Sequence, residues 1–237
     1  MDKVAAYFNE RAGKWDESGC SGESRVQGAV LSLVDLKSGN SVLDLGCGTG
    51  VMIPFYLAAR AGKIVAVDVS ENMIERAKEK FGSEQSVELR ASDALLLDEG
   101  ERFDAVVIYN AYPHFFEKQA LVEKVYRLVK LGGRFVVAHG SGRDVINRHH
   151  DAVAAGVSCG LRAASEESAL WADKFEIEAL VDTPGFYAFS GVRGSVCLRL
   201  ALKGGRRRAH ANRAVAPAIR RNPQSLRLRS AFDLCLT

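Results

Sequence analysis

Long apolar runs are missing from this chain. No stretch approaches the roughly 18 apolar residues that a membrane-spanning helix needs, so no membrane span is expected. The N-terminal MDKVAAYFNERAGKW is polar and lacks the apolar core of a secretory leader, which makes a cytoplasmic address the expectation. Cysteine is sparse and scattered. Cys20, Cys47, Cys159, Cys197 and Cys235 are odd in number and contain no CxxC pair, which argues against a disulfide framework and against a structural zinc site. No internal repeat is visible. A uniform basic surface is missing as well, despite a formal net charge of +3. From Lys203 onward the chain carries nine Lys/Arg and one acid, Asp233; the rest carries 28 acids against 23 bases. An acidic body is a poor electrostatic match for nucleic acid.

What is present is an ordinary globular balance, 47% hydrophobic and 26% charged over 237 residues, suited to one α/β domain with additions. Residues 1–22 read as a helix and loop carrying Val4, Tyr7, Phe8 and Trp15, and 24–37 as an amphipathic helix. Strands are then expected at 41–46, 63–69, 87–93, 103–110 and 134–140, with helices at 51–60, 71–81 and 117–130, the last ended by Gly132 and Gly133. Another helix is expected to carry Asn147, His149 and His150. Such alternation calls for a parallel sheet covered by helices on both faces. The runs 175–183 and 186–193, joined at Pro184-Gly185, read as a closing hairpin. Residues 1–40 are thus an N-terminal lid or cap, 41–193 the main domain, and 194–237 a basic tail. The tail reads as a disordered extension, a shifted reading frame or a nucleic-acid or membrane-surface arm.

The chemistry concentrates in VLDLGCGTG, residues 42–50. Gly46, Gly48 and Gly50 allow positive φ and close approach of a ligand to bare backbone. The spacing is G-x-G-x-G, so the third glycine of the dinucleotide pattern G-x-G-x-x-G is misplaced. Asp44, just before the turn, would repel a pyrophosphate but accept hydrogen bonds from an ammonium. Asp68, ending the second strand, can accept from two ribose hydroxyls. Asp93, ending the third, is placed to meet an adenine amine beside the backbone of Ala94.

VLDLGCGTG, VAVDVS (65–70), ASDAL (91–95), FDAVVIYNAYPHF (103–115) and RLVKLGGRFVVAH (127–139) together resemble the successive motifs of the class I S-adenosylmethionine (SAM)-dependent methyltransferases. The flanks YFNERAGKWDE and the closing hairpin are similar to the small-molecule branch, which includes methyltransferase type 11 and the quinone or sterol methylases. The resemblance covers about residues 4–193. It implies a Rossmann-like α/β fold with a seven-stranded, mostly parallel sheet in the order 3-2-1-4-5-7-6, the last strand antiparallel. It implies SAM as cofactor, held by Asp44, Gly46, Cys47, Gly48, Thr49, Gly50, Asp68, Val69, Met73, Ser92, Asp93, Ala94 and Asn110. Lys130-Leu131-Gly132-Gly133 departs from the family's Lys-Pro-Gly-Gly, and the tail has no family counterpart.

Methyl transfer from a sulfonium needs alignment and, for an acidic acceptor, a place for the proton. His114, after the fourth strand, is the first candidate base, with capping of the next helix or bonding to a backbone carbonyl as its alternative. His139, ending the fifth strand, is a pocket-lining residue or a base. Tyr112 is a candidate for holding an aromatic acceptor, or a core residue. Trp15 and Tyr7 could cover SAM as a lid. Asn147, His149 and His150 together with His114 and His139 raise a metal alternative, but no metal is expected, since His149 and His150 diverge by roughly 100° on a helix and only one of them could join such a site. The expected function is methyl transfer to an O or C atom of a small-molecule acceptor. The alternatives are a SAM-binding protein without catalysis and an RNA methyltransferase, the latter opposed by the acidic body; NAYP at 110–113 is only superficially like an NPPY tetrad.

Overall fold

Seven strands, β1 (Ser41–Leu45), β2 (Lys63–Asp68), β3 (Val87–Ala91), β4 (Phe103–Tyr109), β5 (Val129–His139), β6 (Glu176–Asp182) and β7 (Tyr187–Val192), form one sheet in the order β3-β2-β1-β4-β5-β7-β6. The computed structural model describes residues 3–18, 24–151 and 156–194, all within the unit Met1–Leu198. The basic tail from residue 195 and Cys20, Cys197 and Cys235 lie outside the described residues. β1 to β5 run parallel, and β7 is antiparallel to both β5 and β6. The expected order and the antiparallel closure are both present.

The inner strands β1, β2, β4 and β7 and the second half of β5 are buried on both faces because helices cover both, while the edge strands β3 and β6 keep exposed positions. Alternation along each strand sends successive side chains to opposite sides. Leu43, Val65, Val106, Phe135 and Val137 join one core cluster, where Trp171 stacks on Phe135 at 4.2 Å between ring centroids. Val42, Ile64, Ala66, Val107 and Ala138 join the other, with Tyr56 and Met52. Helices α2 (Ser24–Leu33) and α3 (Ile53–Ala58) supply the second cluster; α5 (Lys118–Leu128) and α7 (Ala164–Ala169) supply the first. Helix α4 (Glu71–Phe81) starts where Ser70 accepts the Met73 N–H, a side-chain N-cap that satisfies one orphan donor. At the N-terminus α1 (Lys3–Arg11) continues into a 3₁₀ helix, Ala12–Ser18; α6 (Arg143–Asp151) follows β5.

Two local readings differ. The helix before β5 ends at Leu128, not at the glycines, because Val129 already pairs with Phe103. Gly132 and Gly133 instead exchange backbone bonds with Arg193, at 2.8 and 2.9 Å. A Cβ on Gly133 would meet the Asp104 carbonyl at 2.9 Å. Helix α7 was not foreseen; its six residues, ASEESA, are too short to show an apolar period.

Candidate functional site

The carboxyl ends of β1 to β5 open onto one cleft of about 1250 Å³. It lies where strand order reverses, since β1 pairs with β2 on one side and β4 on the other; open α/β sheets place ligands there. The volume exceeds the roughly 300–1,000 Å³ of a pocket for one small ligand, leaving room for two.

Gly46, Cys47, Gly48, Thr49 and Gly50 line the cleft from the turn after β1. All three glycines have positive φ, but their surroundings differ. A Cβ on Gly46 would lie 2.5 Å from the Ala111 Cβ, and one on Gly50 2.8 Å from Ile53 and Phe81. Their bareness serves internal packing. At Gly48 the sole neighbour within 4 Å of an added Cβ, among the described residues, is the Trp15 indole nitrogen at 3.8 Å, so here the backbone itself faces the cleft.

Asp68 and Val69 line the cleft from the end of β2, with Met73 from α4. The Asp68 carboxylate accepts the Gly48 N–H on Oδ2 at 2.8 Å and the Ser70 N–H on Oδ1 at 2.9 Å. Burial pushes its pKa up while these backbone donors and, least of the three, the Val69 N–H oppose the rise. Ser92, Asp93 and Ala94 line the cleft from the end of β3. Asp93 caps a short 3₁₀ turn, Ala94–Leu96, accepting the Leu95 N–H on Oδ1 at 2.8 Å. Asn110 follows β4 with φ +55°, a left-handed position that Asn tolerates. Its Oδ1 accepts the Gly140 N–H at 2.9 Å, tying the ends of β4 and β5 together.

Asp44 is placed differently from expectation. It does not line the cleft; it alternates with Leu43 and Leu45 onto the face beneath α3, 1% exposed. Burial pushes its carboxyl up to about 7; the neighbouring Tyr56 hydroxyl pulls it down, and the Asp68 charge adds to the rise. Asp44 Oδ2 and Tyr56 Oη are nevertheless both buried outside hydrogen-bond geometry, without a bonded partner among the described residues. The two acids of β2 and β3 therefore share the cleft directly, and the acid of β1 stands one layer behind the glycine turn.

His114 and His139 line the cleft at the ends of β4 and β5. His114 contacts Val157 O through Nδ1 at 2.8 Å. Burial lowers its pKa, the Val157 bond opposes this, and His149 adds to the lowering. His139 is buried, and burial together with His150, His114 and Lys118 pushes it down to about 3. It is neutral at pH 7, and with so low a pKa it is a poor proton acceptor; its place is the pocket wall.

Tyr112 requires a correction. It is fully buried and does not line the cleft. Its hydroxyl donates to Glu167 Oε2 at 3.1 Å and accepts from the Trp171 indole at 3.4 Å. Residues 112–114 form a 3₁₀ turn, on which positions two apart diverge by about 120°, so His114 reaches the cleft and Tyr112 the core. Glu167, with no exposed side-chain surface, also takes Lys118 at 2.9 Å and Arg162 at 3.2 Å. This buried acid had no signal in the sequence.

The N-terminal segment meets the cleft through Tyr7, Phe8, Trp15 and Asp16. Thr49 Oγ1 donates to Asp16 Oδ1 at 2.6 Å, and Lys80 pairs with Asp16 Oδ2 at 3.0 Å. Asn9 Oδ1 accepts from Ser70 Oγ at 2.6 Å and from the Asn72 N–H at 3.1 Å. Arg76 donates to the Gly13 carbonyl. These ties span 33 to 64 residues of sequence, and only the resemblance of YFNERAGKWDE to family flanks hinted at them. Among the described residues no group of three His, Cys, Asp or Glu is disposed to hold a metal ion, and no helix is long and apolar enough to cross a membrane.

Residues 42–133 match the family model for a methyltransferase domain. An uncharacterized methyltransferase of Schizosaccharomyces pombe is 38% identical over 112 residues, covering 43% of this chain and 39% of its own. The demethylmenaquinone methyltransferase of Thermobifida fusca is 31% identical over 141 residues, covering 56% and 59%. The chain thus spans less than two thirds of the length of these relatives. The crystal structure of the N-methyltransferase NodS from Bradyrhizobium japonicum, in complex with S-adenosyl-L-homocysteine, superposes with a TM-score of 0.65 at 14% identity, covering 82% of this chain and 100% of that one. At that identity the likeness is one of fold, and the fold of this chain is that of the class I SAM-dependent methyltransferases.

Proposed function

We propose, from the class I methyltransferase fold and the match of residues 42–133 to the methyltransferase-domain family, that this chain transfers a methyl group from SAM to an O or C atom of a small-molecule acceptor. The observation that carries this reading is the meeting of Asp68, Asp93 and the bare Gly48 backbone in one cleft. The chain's residues fit the group. Asp68 keeps two lone-pair sites beyond its two backbone donors, enough for the ribose diol. Asp93 faces the adenine end. Asp44 Oδ2, beside the Tyr56 hydroxyl but in no well-formed hydrogen bond, suits an ammonium approaching through the glycine turn, directly or by way of water. When bound, SAM supplies a methyl group on a positively charged sulfur.

The remaining residues hold and enclose. Trp15 and Tyr7 of the 1–40 segment form the lid over the site, with 41–193 as the catalytic domain; such a lid excludes water and positions the acceptor. The acceptor enters at the ends of β4 and β5, beside His114 and His139. Calorimetry with S-adenosylhomocysteine, followed by mass spectrometry of a metabolite extract incubated with SAM, tests the reading. Micromolar binding and a mass gain of one methyl group are expected. No binding to the wild-type protein overturns the assignment, and binding without any methylated product leaves a SAM-binding protein instead.

A further inference from the structure

We propose that the acceptor is an uncharged hydroxyarene, a phenol or a hydroxylated fused ring, and that His114 takes its hydroxyl proton. This rests on the methyltransferase reading above and deepens it. The His114 ring is held in one orientation by its contact with Val157 O at 2.8 Å. A carbonyl can only accept, so Nδ1 carries the proton and Nε2 the lone pair. The imidazole in the cleft wall therefore asks for a hydrogen-bond donor on the acceptor.

The same end of the cleft is built for a planar ring. Phe8 meets His114 edge-on at 4.8 Å, and the His150 ring lies 5.2 Å from it. Phe115 and Phe116 line the wall alongside. One strap positions this wall: Cys159 N donates to the Pro113 carbonyl at 2.8 Å, and Ser158 Oγ bonds His150 Nδ1 at 2.7 Å. Residues 157–159 thus set both imidazoles.

Charge narrows the choice. Among the described residues lining the cleft, the single Lys or Arg is Lys80, which is engaged by Asp16 beside the glycine turn. The acceptor end presents Glu117 and imidazoles. Lys118, whose charge reaches His139, is outside the lining and engaged by buried Glu167 at 2.9 Å, so a phosphate or carboxylate there would lose hydration without an unengaged cation in the lining to meet it.

The step balances. The acceptor oxygen forms its bond to the methyl carbon as the carbon–sulfur bond breaks, and that bond's electron pair stays on sulfur. The hydroxyl proton passes to His114 Nε2. The positive charge thus moves from sulfur to imidazolium, and solvent removes the proton after product release. Among the described residues, His149 and His150 of α6, His139 of β5 and Glu117 line the cleft with His114, while α1 contributes Phe8 and the Tyr7 phenol. Burial holds His114 below the usual imidazole value, so Nε2 is unprotonated at pH 7 and the rate falls on the acid side.

His114→Asn separates the roles, since the Asn amide can still donate to Val157 O but nothing replaces Nε2. Phenol, catechol, 1-naphthol and 2,3-dihydroxynaphthalene are titrated into the full chain saturated with S-adenosylhomocysteine, with O-phosphoethanolamine and benzoate as charged comparisons. The expected result is sub-millimolar binding of at least one hydroxyarene and formation of its methyl ether with SAM. His114→Asn should then keep its S-adenosylhomocysteine affinity, lose kcat roughly 100-fold or more with a smaller rise in KM, up to about tenfold for the lost hydrogen bond to the acceptor, and lose the acid limb of the pH profile. The proposal is overturned if a charged probe binds better than every hydroxyarene, if none of the four binds, or if His114→Asn stays within threefold of wild type. Wild-type protein that binds no S-adenosylhomocysteine overturns the methyltransferase reading itself, a result separate from the other three.

Discussion

Replacing Asp68 by Ala tests the cofactor site at its most constrained residue. The two carboxylate oxygens offer about four lone-pair sites. Two are taken by the Gly48 and Ser70 N–H groups at 2.8 and 2.9 Å, which leaves two for the ribose hydroxyls. A hydrogen bond to a charged group contributes about 1.5–3 kcal/mol, so losing both costs about 3–6 kcal/mol of binding. At tenfold per 1.4 kcal/mol, the dissociation constant for S-adenosylhomocysteine should rise roughly 10²- to 10⁴-fold. Asp68→Asn should fall between. Its one amide oxygen still accepts, but its NH₂ must face a backbone N–H, donor against donor. Titration calorimetry at pH 7.5 measures both variants, and thermal melts confirm that each is folded. If Asp68→Ala binds within threefold of wild type while folded, the carboxylate does not grip the ribose and the site has been misread.

Three other expectations follow from buried groups. Burial holds the Asp44 carboxyl at about 7 rather than the ordinary 3.8, so its stabilising contribution is present below pH 4 and is lost as pH rises to about 7, up to about 4 kcal/mol in all. Asp44→Asn should therefore melt near wild type at pH 4 and above it at pH 8, while binding S-adenosylhomocysteine more weakly; equal melting at pH 8 contradicts this. His139 is shifted the other way, to about 3 from 6.5, so its contribution is present above pH 6.5 and lost as pH falls toward 3. His139→Phe should flatten the decline of the urea midpoint between pH 6.5 and 4, and an unchanged slope would refute the burial argument. Tyr112→Phe removes a hydroxyl from Glu167. It should cost about 1–2 kcal/mol of stability and leave kcat within threefold, whereas a hundredfold loss of kcat would restore Tyr112 to the chemistry.

Much of the architecture was legible in the residues. Apolar runs such as FDAVVIYN set the strands, and parallel strands joined by helices must bring their carboxyl ends to one edge. Asp68, Asp93 and the glycine turn each end or follow a strand, so local sequence already placed them together. The boundaries were less legible. The start of β5 moved to Val129 because pairing with Phe103 outweighed the glycine signal, and α7 escaped notice because it is held by Glu167 and its partners rather than by its own periodicity.

By itself, then, the sequence determined the alternation of strands and helices, the edge at which they converge and the acids at that edge, because these depend on spacing along the chain. Only the tertiary structure decided which side each group faces. Asp44 went behind the glycine turn, His114 into the cleft and Tyr112 into the core. Val157 oriented His114, and Asp16 tied the N-terminal segment to Thr49. Those contacts join residues 33 to 55 positions apart, and distance along the chain carries no record of which of them meet.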